Sequence, residues 1–582
     1  MTLQIQPVAI VLAQQQLQNP SLPFLSLEHA LVRILMFQPE GTIVANKTRV
    51  GVQDHQLIIA QMQGFLANAA TLNVDIAVCP EYSCPWAALI DSIEAGVVPS
   101  EGTLWALGCE SATPAELAAA MDRLKQKVIV VFDDSVLAKH GNFVDCLCYV
   151  FRTNRANGDA THVVLIQTKT QPMGGDDFEL DNLKLGRALY RFKNSNTHAS
   201  NNLIGLLCSD TLHPQFDQLI PQLQTDSLIL HLQLNANPSS PGFRQYRSNC
   251  CSHTPRTTEI LCLNWARGTN LLGQDGTSTP FITEPKTIFF RPTGELKTDD
   301  AHILENHSKG CYLTNWQEHR TAAFVFSPDS RLFLFETTKP SIAGNAATAI
   351  RTGPKMLDTF SWNMTASVWE SKAPDDRFKS YWRDEYVGLQ PLLDPLLGKL
   401  LEAERLIQLC VGHASDGEWA HWTNLPSFRL MDDDTAQRLT LCWSTSGSGY
   451  IYRKDCLALF RGFAGTINDP SQFSDRLVAF RDAPFHVAYK SYPLTKVLRN
   501  LHLKAGLSAT GVYLGQTPAT ERLEEVKKRI SAVLHMTESD TQLMALWYRD
   551  DVGNLRDFMD EDIPKINADP GVSPVAIVNT AP

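Results

Sequence analysis

Three residues with chemically active side chains each come directly after a short apolar run. Glu81 follows VDIAVCP, Lys169 follows VVLIQT and Cys208 follows NLIGLL. Runs of this kind predict buried strands. Because catalytic groups in parallel α/β sheets collect at the carboxyl ends of strands, we expect these side chains to lie close together. A single cysteine in such a place is more typical of core packing, so the hypothesis depends on all three residues.

The three residue types together suit nucleophilic catalysis by a thiol. A free thiol has a pKa of about 8.5 and is mostly protonated at neutral pH, so attack by Cys208 requires a base. Glu81 is the candidate for that base. Acyl transfer also creates an oxyanion, which the Lys169 ammonium and the backbone N–H of Ser209 would stabilise. The sequence therefore predicts Glu81, Lys169 and Cys208 as catalytic residues.

The residues around this trio follow the pattern of a layered α/β domain. Between about 31 and 335, short Val/Ile/Leu-rich runs alternate with helical segments, which indicates buried sheets covered by helices. One helix is predicted over 113–126, where Thr113 is the cap, Pro114 lies in the first turn and Glu116 is the acid at the third position. These elements would hold the three strand ends in place.

The remainder of the chain is predicted to form a second, α+β domain. A Pro/Gly-containing stretch indicates a linker at 341–375, between a first domain at 1–340 and a second at 376–570, with a tail at 571–582. In the second domain, LLDPLLGKLLEAERLIQLC and TPATERLEEVKKRISAVLH predict helices, and RLTLCWST and GYIYR predict strands. Substrate gating, oligomer assembly and docking of a partner protein are its candidate roles.

The segments VDIAVCPEYSCPW, VVLIQTKTQP and NLIGLLCSDTLHPQF together resemble the nitrilase superfamily of carbon–nitrogen hydrolases, over residues 28–335 or so. Members use Glu, Lys and Cys in this chain order. The resemblance implies an α–β–β–α sandwich and hydrolysis of a small-molecule amide or nitrile through an acyl-enzyme on Cys208. It implies no metal and no organic cofactor. It also implies subunits that pair into a homodimer or larger homo-oligomer.

Family members often carry a second glutamate in the loop after the lysine. Glu179 in GGDDFEL is the nearest match, and Asp176 and Asp177 compete with it. The sequence departs from the family where the lysine motif continues as KTQPM, without the usual histidine or leucine. A regulated effector, for instance in a bacterial defence system, would suit the two-domain arrangement by analogy alone.

Other readings of the same residues stay open. A catalytically inactive nitrilase-fold scaffold for binding or assembly is the main alternative function. A cysteine hydrolase of another class would pair the thiol with a histidine, and His231 and His253 are its candidates. A metal site at Cys250, Cys251 and His253 is disfavoured, because adjacent cysteines lack the spacing of common zinc sites.

Composition narrows the function classes further. The formal net charge of the 582 residues is −11, which disfavours general nucleic-acid binding because phosphate contacts need Lys and Arg. No run of about 18 apolar residues predicts a membrane span. The first twenty residues carry no Lys or Arg before their apolar run, so we expect no secretory signal and a cytoplasmic protein. In that compartment the 13 cysteines are expected to be thiols.

Overall fold

The computed structural model describes most of the chain. The described residues are 2–174, 178–194, 200–251, 257–273, 275–283, 286–292, 300–316, 321–339, 353–374, 387–396, 399–413, 447–492, 497–533 and 543–559. They form two compact units, of which the first comprises the described residues up to Val387 and the second most of those that follow. None of the described helices combines the length and apolar character that a membrane crossing requires.

The first unit is built from strands with helices between them. Its strands are β1 Gln4–Pro7, β2 Leu31–Gln38, β3 Thr42–Ala45, β4 Val50–Val52, β5 Ile76–Cys84, β6 Leu104–Ala112, β7 Ile129–Val131, β8 Val144–Asn154, β9 Ala160–Thr168, β10 Ala188–Phe192, β11 Asn202–Leu207, β12 Ser227–Leu232, β13 Thr258–Leu263, β14 Asn270–Leu272, β15 Ser278–Pro280, β16 Ile288–Pro292, β17 Cys311–Trp316, β18 Thr321–Phe326, β19 Arg331–Thr338, β20 Lys355–Asn363 and β21 Val368–Ser371. Its helices are α1 Val8–Ala13, α2 His55–Thr71, α3 Trp86–Glu94, α4 Pro114–Leu124, α5 Ile220–Leu223, α6 Pro241–Cys251 and α7 Asp300–Ser308.

The described strands of this unit pair into three sheets. Nine strands form one sheet in the order β21-β20-β19-β2-β5-β6-β8-β9-β7, and eight form a second in the order β1-β10-β11-β12-β13-β16-β18-β17. A small sheet has the order β15-β14-β3-β4. Both large sheets mix parallel and antiparallel pairs: β5 is parallel to β6, whereas β8 and β9 are antiparallel. The predicted α/β class is confirmed.

Apolar contacts define four layers in the first unit. Helices α2, α3 and α4 pack on the outer face of the nine-stranded sheet, in one core with its buried side chains. Helices α5 and α6 pack in the same way on the eight-stranded sheet. The inner faces of the two sheets meet through aromatic pairs: Tyr149 and Phe192 lie 4.8 Å apart between ring centroids, and Phe326 and Phe333 lie 5.3 Å apart. The order of layers is helix, sheet, sheet, helix.

Gly205 shows how closely the two large sheets approach each other. It lies in β11, in the middle of the NLIGLL run. A Cβ atom added there would lie 2.3 Å from the hydroxyl oxygen of Tyr149, which belongs to β8 in the other sheet. Only glycine leaves room for that ring, so this position sets the spacing of the sheets directly beneath Cys208.

The second unit contains a five-stranded sheet and helices. Its described strands, in sheet order, are β22 Phe485–Tyr492, β23 Val497–Leu503, β24 Ser508–Gln516, β25 Met544–Arg549 and β26 Leu555–Asp557. The helices of this part of the chain are α8 Gln390–Leu393, α9 Leu400–Cys410, α10 Gly447–Ile467 and α11 Thr520–Val533. The helix predicted from TPATERLEEVKKRISAVLH is confirmed by α11. The independence of this region as a domain stays a prediction.

The first unit also contains the helix predicted at 113–126, as α4. It begins with the expected capping box, in which Thr113 accepts a hydrogen bond from the Glu116 backbone and Glu116 accepts one in return. The cap supplies partners for backbone N–H groups that no helical carbonyl can reach. Here the local sequence signal was sufficient.

Two sequence predictions differ from the structure. Part of the predicted linker at 341–375 is folded, because β20 pairs with β19 and β21 pairs with β20, which extends the nine-stranded sheet. GYIYR was predicted as a strand and lies in the 21-residue helix α10. Aromatic and β-branched residues favour strands only weakly, and helical context overrides them. RLTLCWST and the tail at 571–582 lie outside the described residues.

Candidate active site

The three predicted catalytic residues lie at one place between the two large sheets. Glu81 is in β5 and Lys169 directly follows β9, both in the nine-stranded sheet, whereas Cys208 directly follows β11 in the eight-stranded sheet. All three side chains line the same cavity. The expectation that they meet is correct, but they meet between two mixed sheets and not along the edge of one parallel sheet.

Lys169 lies at the centre of a group of carboxylates. Its Nζ atom is 2.8 Å from Glu81 Oε1, 2.8 Å from Glu179 Oε1 and 3.7 Å from Asp145 Oδ2. Burial disfavours the ammonium, but these carboxylates outweigh it and hold the pKa of Lys169 well above its usual value. Lys169 is therefore a fixed positive charge in a buried site.

Glu179 holds Lys169 in position. Its carboxylate also accepts hydrogen bonds from the Tyr82 hydroxyl at 2.7 Å and from the Met173 backbone N–H at 2.7 Å. Glu179 was the nearest sequence match for a second glutamate, and the structure places it against the lysine. The competing Asp176 and Asp177 lie outside the described residues.

Glu81 is held in place by a local irregularity in β5. The pairing of β5 with β6 shifts register between Cys79 and Cys84, so the chain around Glu81 bulges away from the ladder. Gly108 of β6 permits this, since a Cβ there would lie 2.7 Å from the Cα atom of Glu81. Tyr82 has a φ of +59° in the same bulge. The strained bulge thus directs the Glu81 carboxylate into the site.

The electrostatic surroundings of Glu81 suit a base. Its Oε2 atom accepts a hydrogen bond from the Leu234 backbone N–H at 2.8 Å. Burial raises the pKa of Glu81, and the ammonium of Lys169 opposes that rise. A carboxyl whose pKa lies closer to neutrality is a better proton acceptor near pH 7 than an ordinary glutamate.

Cys208 lies on a tight, strained turn at the end of β11. It has a φ of +28° and begins the short 3₁₀ helix Cys208–Leu212. Asp210 fixes this turn: one of its oxygens accepts from the Leu207 backbone N–H at 2.8 Å and the other from the Thr170 N–H at 2.7 Å. The Thr170 bond ties the turn to the residue after Lys169. Cys208 and Lys169 are therefore held on one connected frame.

The thiol of Cys208 needs help to ionise. Burial raises its pKa well above the usual value, the charge of Glu81 adds to the rise, and Lys169 opposes it. A neutral thiol beside a carboxylate base is the arrangement in which proton transfer accompanies sulfur attack. The Ser209 hydroxyl donates to the Gln171 carbonyl at 2.7 Å, and the role of its backbone N–H stays a prediction.

The structure opposes the alternative Cys–His pair. Nε2 of His231 lies 2.8 Å from the carbonyl oxygen of Cys208, and its Nδ1 lies 2.6 Å from the hydroxyl of Tyr246. Burial lowers the pKa of His231 to about 3, so the ring is neutral. Both ring nitrogens are occupied, and His231 supports the backbone of the turn. The other candidate, His253, lies outside the described residues.

The cavity itself is small and mostly apolar. It has a volume of about 20 Å³, which is room for about one water molecule. The small sheet contributes part of its wall through β3, β4 and β14. The apolar lining residues are Ile43, Ala45, Val50, Met173, Phe178, Leu234, Leu271 and Phe281. The described lining offers ionisable groups only at Glu81, Tyr82, Lys169, Glu179 and Cys208.

One group of carboxylates could in principle ligate a metal ion. Oxygen atoms of Glu81, Asp145 and Glu179 lie within 4.8 Å of one another. Hard cations prefer such oxygen ligands. The ammonium of Lys169 already contacts all three, so it supplies the positive charge of the cluster. Of the disfavoured Cys250–His253 group, Cys250 and Cys251 are buried at the end of α6, and His253 is not among the described residues.

Three residues of the site were not found from sequence. Tyr82 holds Glu179, Asp210 holds the nucleophile turn, and Asp145 lies beside Lys169 from strand β8. Asp145 left one signal, since it is the single acid in the apolar segment FVDCLCYVF. A lone charged residue inside a buried strand indicates a specific role or a partner.

Comparisons with known proteins gave structural likenesses only. No protein-family model and no curated protein matches the sequence. An amidase from Nesterenkonia sp. is 14% identical with a TM-score of 0.25, covering 44% of this chain and 88% of that one. A CN-hydrolase superfamily protein from Xanthomonas campestris is 9% identical with a TM-score of 0.24, covering 41% and 77%. A glutamine-dependent NAD+ synthetase from Acinetobacter baumannii is 11% identical with a TM-score of 0.24, covering 78% and 69%. Scores of this size carry no inference about activity, which must come from the site.

Proposed function

We propose that this chain hydrolyses a non-peptide carbon–nitrogen bond, in an amide or nitrile of a small molecule, through an acyl-enzyme on Cys208. One observation supports this most: the Lys169 ammonium is held at 2.8 Å by Glu81 and Glu179, and all three residues line a cavity with the thiol. Such a buried ion cluster costs folding free energy. An inactive scaffold, the alternative function, would gain nothing in return for this loss of stability.

For an amide, the first half of the reaction forms a thioester. Glu81 takes the thiol proton while the sulfur of Cys208 attacks the carbonyl carbon. The carbonyl oxygen becomes an oxyanion beside the Lys169 ammonium, which typically stabilises such a charge by about 3–4 kcal/mol. Glu81 then gives its proton to the leaving nitrogen, the carbon–nitrogen bond breaks, and ammonia or an amine departs.

The second half of the reaction releases the acid. A water molecule attacks the thioester carbon while Glu81 accepts one of its protons. Lys169 again stabilises the oxyanion. The carbon–sulfur bond breaks, the sulfur regains a proton from Glu81, and the carboxylic acid leaves. Glu179 keeps the ammonium aimed at the oxyanion in both halves, because it accepts two of the contacts of Lys169.

The cavity lining favours a small, uncharged acyl group. Its walls are apolar outside the catalytic group, with side chains such as Ile43, Leu271 and Phe281. The carboxylates of Glu81 and Glu179 would repel an anionic substrate, and an apolar wall offers no partner for its charge. We therefore expect short aliphatic amides or nitriles to react in preference to anionic ones of equal length.

The experiment measures the acyl-enzyme directly. The full chain is incubated with propionamide, butyramide and propionitrile, and with succinamate as the anionic match. Intact-protein mass and ammonia release are recorded, and peptide mass spectrometry locates any adduct. An adduct on Cys208 with ammonia release supports the proposal. Neither adduct nor ammonia from any member of a broader amide and nitrile panel would favour the scaffold alternative.

A matched cysteine variant controls for general thiol reactivity. Cys311 is also fully buried, in β17 of the first unit, and is not among the residues lining the cavity. Cys311→Ala should form the adduct as the unmodified chain does, whereas Cys208→Ala should not.

Regulation by the C-terminal region and self-association of the chain stay predictions. Light scattering on the full chain tests self-association.

A further inference from the structure

Asp145 is a buried carboxyl that the mechanism above does not use. It is fully buried in β8, and its backbone carbonyl accepts the Lys169 N–H at 3.0 Å. Its Oδ2 atom is 3.7 Å from Lys169 Nζ, which is too long for a hydrogen bond. Among the described residues, no N–H or O–H group donates a hydrogen bond to either side-chain oxygen of Asp145. An ionised carboxylate at a buried position would require such donors. A buried, unpaired carboxylate costs several kcal/mol or shifts its pKa and takes up a proton instead.

The charge balance of the cluster also requires a proton. Glu81, Asp145 and Glu179 carry three negative charges if all are ionised, and Lys169 carries one positive charge, which leaves two in excess. Glu179 accepts hydrogen bonds from Tyr82, Met173 and Lys169. Glu81 accepts a hydrogen bond from the Leu234 N–H and has Lys169 as an ion-pair partner at 2.8 Å. Asp145 has the fewest donors, so it is the group that holds the proton.

We propose that Asp145 is a neutral carboxylic acid that donates a hydrogen bond to Glu81 and so keeps Glu81 ionised as the base. This rests on the proposed function, because it assigns a positioning residue to the same site. The proton of Asp145 is not consumed. The thiol proton alone moves to Glu81 and then to the leaving nitrogen, while Asp145 holds its own proton through both halves of the reaction.

The charged and titratable groups that face Asp145 agree with a neutral form. Burial raises the pKa of Asp145 well above its usual value; the charge of Glu81 adds to the rise, Lys169 opposes it, and Glu179 adds to it. Burial raises the pKa of Glu81, and hydrogen bonding between the two carboxyls opposes that rise, which helps to preserve a carboxylate base. Tyr82 and Cys208 are the other titratable groups of the site, and burial raises the pKa of each, so both are neutral at pH 7.

Two substitutions separate a neutral acid from an ionised one. Asp145→Asn keeps the shape and an N–H donor but cannot ionise, and Asp145→Ser removes the donor that reaches Glu81. We expect Asp145→Asn to retain turnover within about threefold, and Asp145→Ser to lose about tenfold or more, because a hydrogen bond to a charged group is lost. The acid limb of the turnover profile should move to higher pH in Asp145→Ser and stay in place in Asp145→Asn.

The same comparison can be made without any substrate. The rate of iodoacetamide labelling at Cys208, measured by peptide mass spectrometry from pH 5 to 9 or so, depends on proton transfer from the thiol. Labelling of Asp145→Asn should follow that of the unmodified chain, and labelling of Asp145→Ser should be slower at low pH. This readout still tests the assignment if no amide or nitrile is ever turned over, so the two proposals can fail separately.

Three results would overturn the assignment. If Asp145→Asn loses as much turnover as Asp145→Ser, the enzyme requires an ionised Asp145. If Asp145→Ser matches the unmodified chain in turnover and labelling, the hydrogen bond to Glu81 has no role. If both variants lose turnover with no movement of the pH profile, Asp145 is only a structural residue. Circular dichroism shows whether each variant is folded, and Asp145→Asn alone decides the first case if the serine variant does not fold.

Discussion

Cys208 and a group of cysteines nearby share their burial but not their surroundings. We define the thiol cluster as five residues on strands β5, β6 and β8, all fully buried: Cys79, Cys84, Cys109, Cys146 and Cys148. Burial raises the pKa of each of these thiols, and for Cys84 a hydrogen bond with Cys109 is the larger cause of the rise. Burial raises the pKa of Cys208 too, but there the ammonium of Lys169 opposes it.

The comparison shows how the surroundings of Cys208 differ from those of the thiol cluster. None of the thiol cluster is among the described residues lining the cavity, whereas Cys208 lines it together with a carboxylate and an ammonium. A buried cysteine without space for a substrate fills volume like a small apolar residue. Burial alone makes a thiol inert, and the proposed role of Cys208 depends on the base, the cation and the cavity beside it.

The largest effect should come from replacing the proposed nucleophile, Cys208, with alanine. Cys208→Ala should lower turnover at least about a thousandfold, because the attacking atom is lost. Cys148→Ala, the matched change within the thiol cluster, should keep most of the activity and lose only stability. Ammonia release measures turnover, and thermal denaturation measures stability. Equal activity of the two variants would erase the distinction between the two regions.

Removing the cation should have the next largest effect. Lys169→Ala leaves the oxyanion unstabilised, so turnover should fall at least about a hundredfold. It also leaves the Glu81 and Glu179 carboxylates and the Asp145 carboxyl without the cation they share, which should cost about 3–5 kcal/mol of unfolding free energy. Lys125→Ala, at an exposed position following α4, is the control and should change neither quantity. Turnover of Lys169→Ala within tenfold of normal would contradict the assigned role.

A substitution in β6 tests whether the bulge of β5 positions Glu81. Gly108 precedes Cys109 of the thiol cluster, and a Cβ there would lie 2.2 Å from the Pro80 carbonyl oxygen. Gly108→Ala should push Glu81 out of line and lower turnover by about tenfold to a hundredfold. Gly465→Ala in α10 is the matched control, because nothing lies within 4 Å of the added atom. Normal turnover with unchanged labelling of Cys208 would show that the bulge does not position the base.

The smallest expected effect is a shift in pH dependence. Because burial raises the pKa of Glu81 above 4.5, turnover should fall as the pH is lowered through that raised value, with a midpoint above 4.5. Labelling of Cys208 should follow the same acid limb, and Glu81→Gln should remove it. Labelling of the thiol cluster in partly unfolded protein should not show this limb. A turnover midpoint at or below 4.5 would exclude Glu81 as the base.

The parts of the fold that sequence predicted are those with strong local signals. The apolar runs before Glu81, Lys169 and Cys208 are strands, and the capping box at Thr113 begins a helix as expected. The failures were also local in origin. GYIYR has strand-forming residues but lies in a long helix, and the predicted Pro/Gly-containing linker includes β20 and β21, which are strands through pairing with β19 and with each other. Pairing between distant segments leaves no mark in a short window of sequence.

The sequence by itself determined which residues could do chemistry at this site: a thiol, a base, a cation and a second glutamate, each recognisable from its position after an apolar run or within a motif. Only the tertiary structure decided how they act. Asp145 enters the site from β8, the Tyr82 hydroxyl reaches Glu179 across 97 positions of the chain, and the Leu234 N–H reaches Glu81 across 153. Ionisation of a buried group depends on the distances to charges around it, and those distances exist only once the sheets have packed.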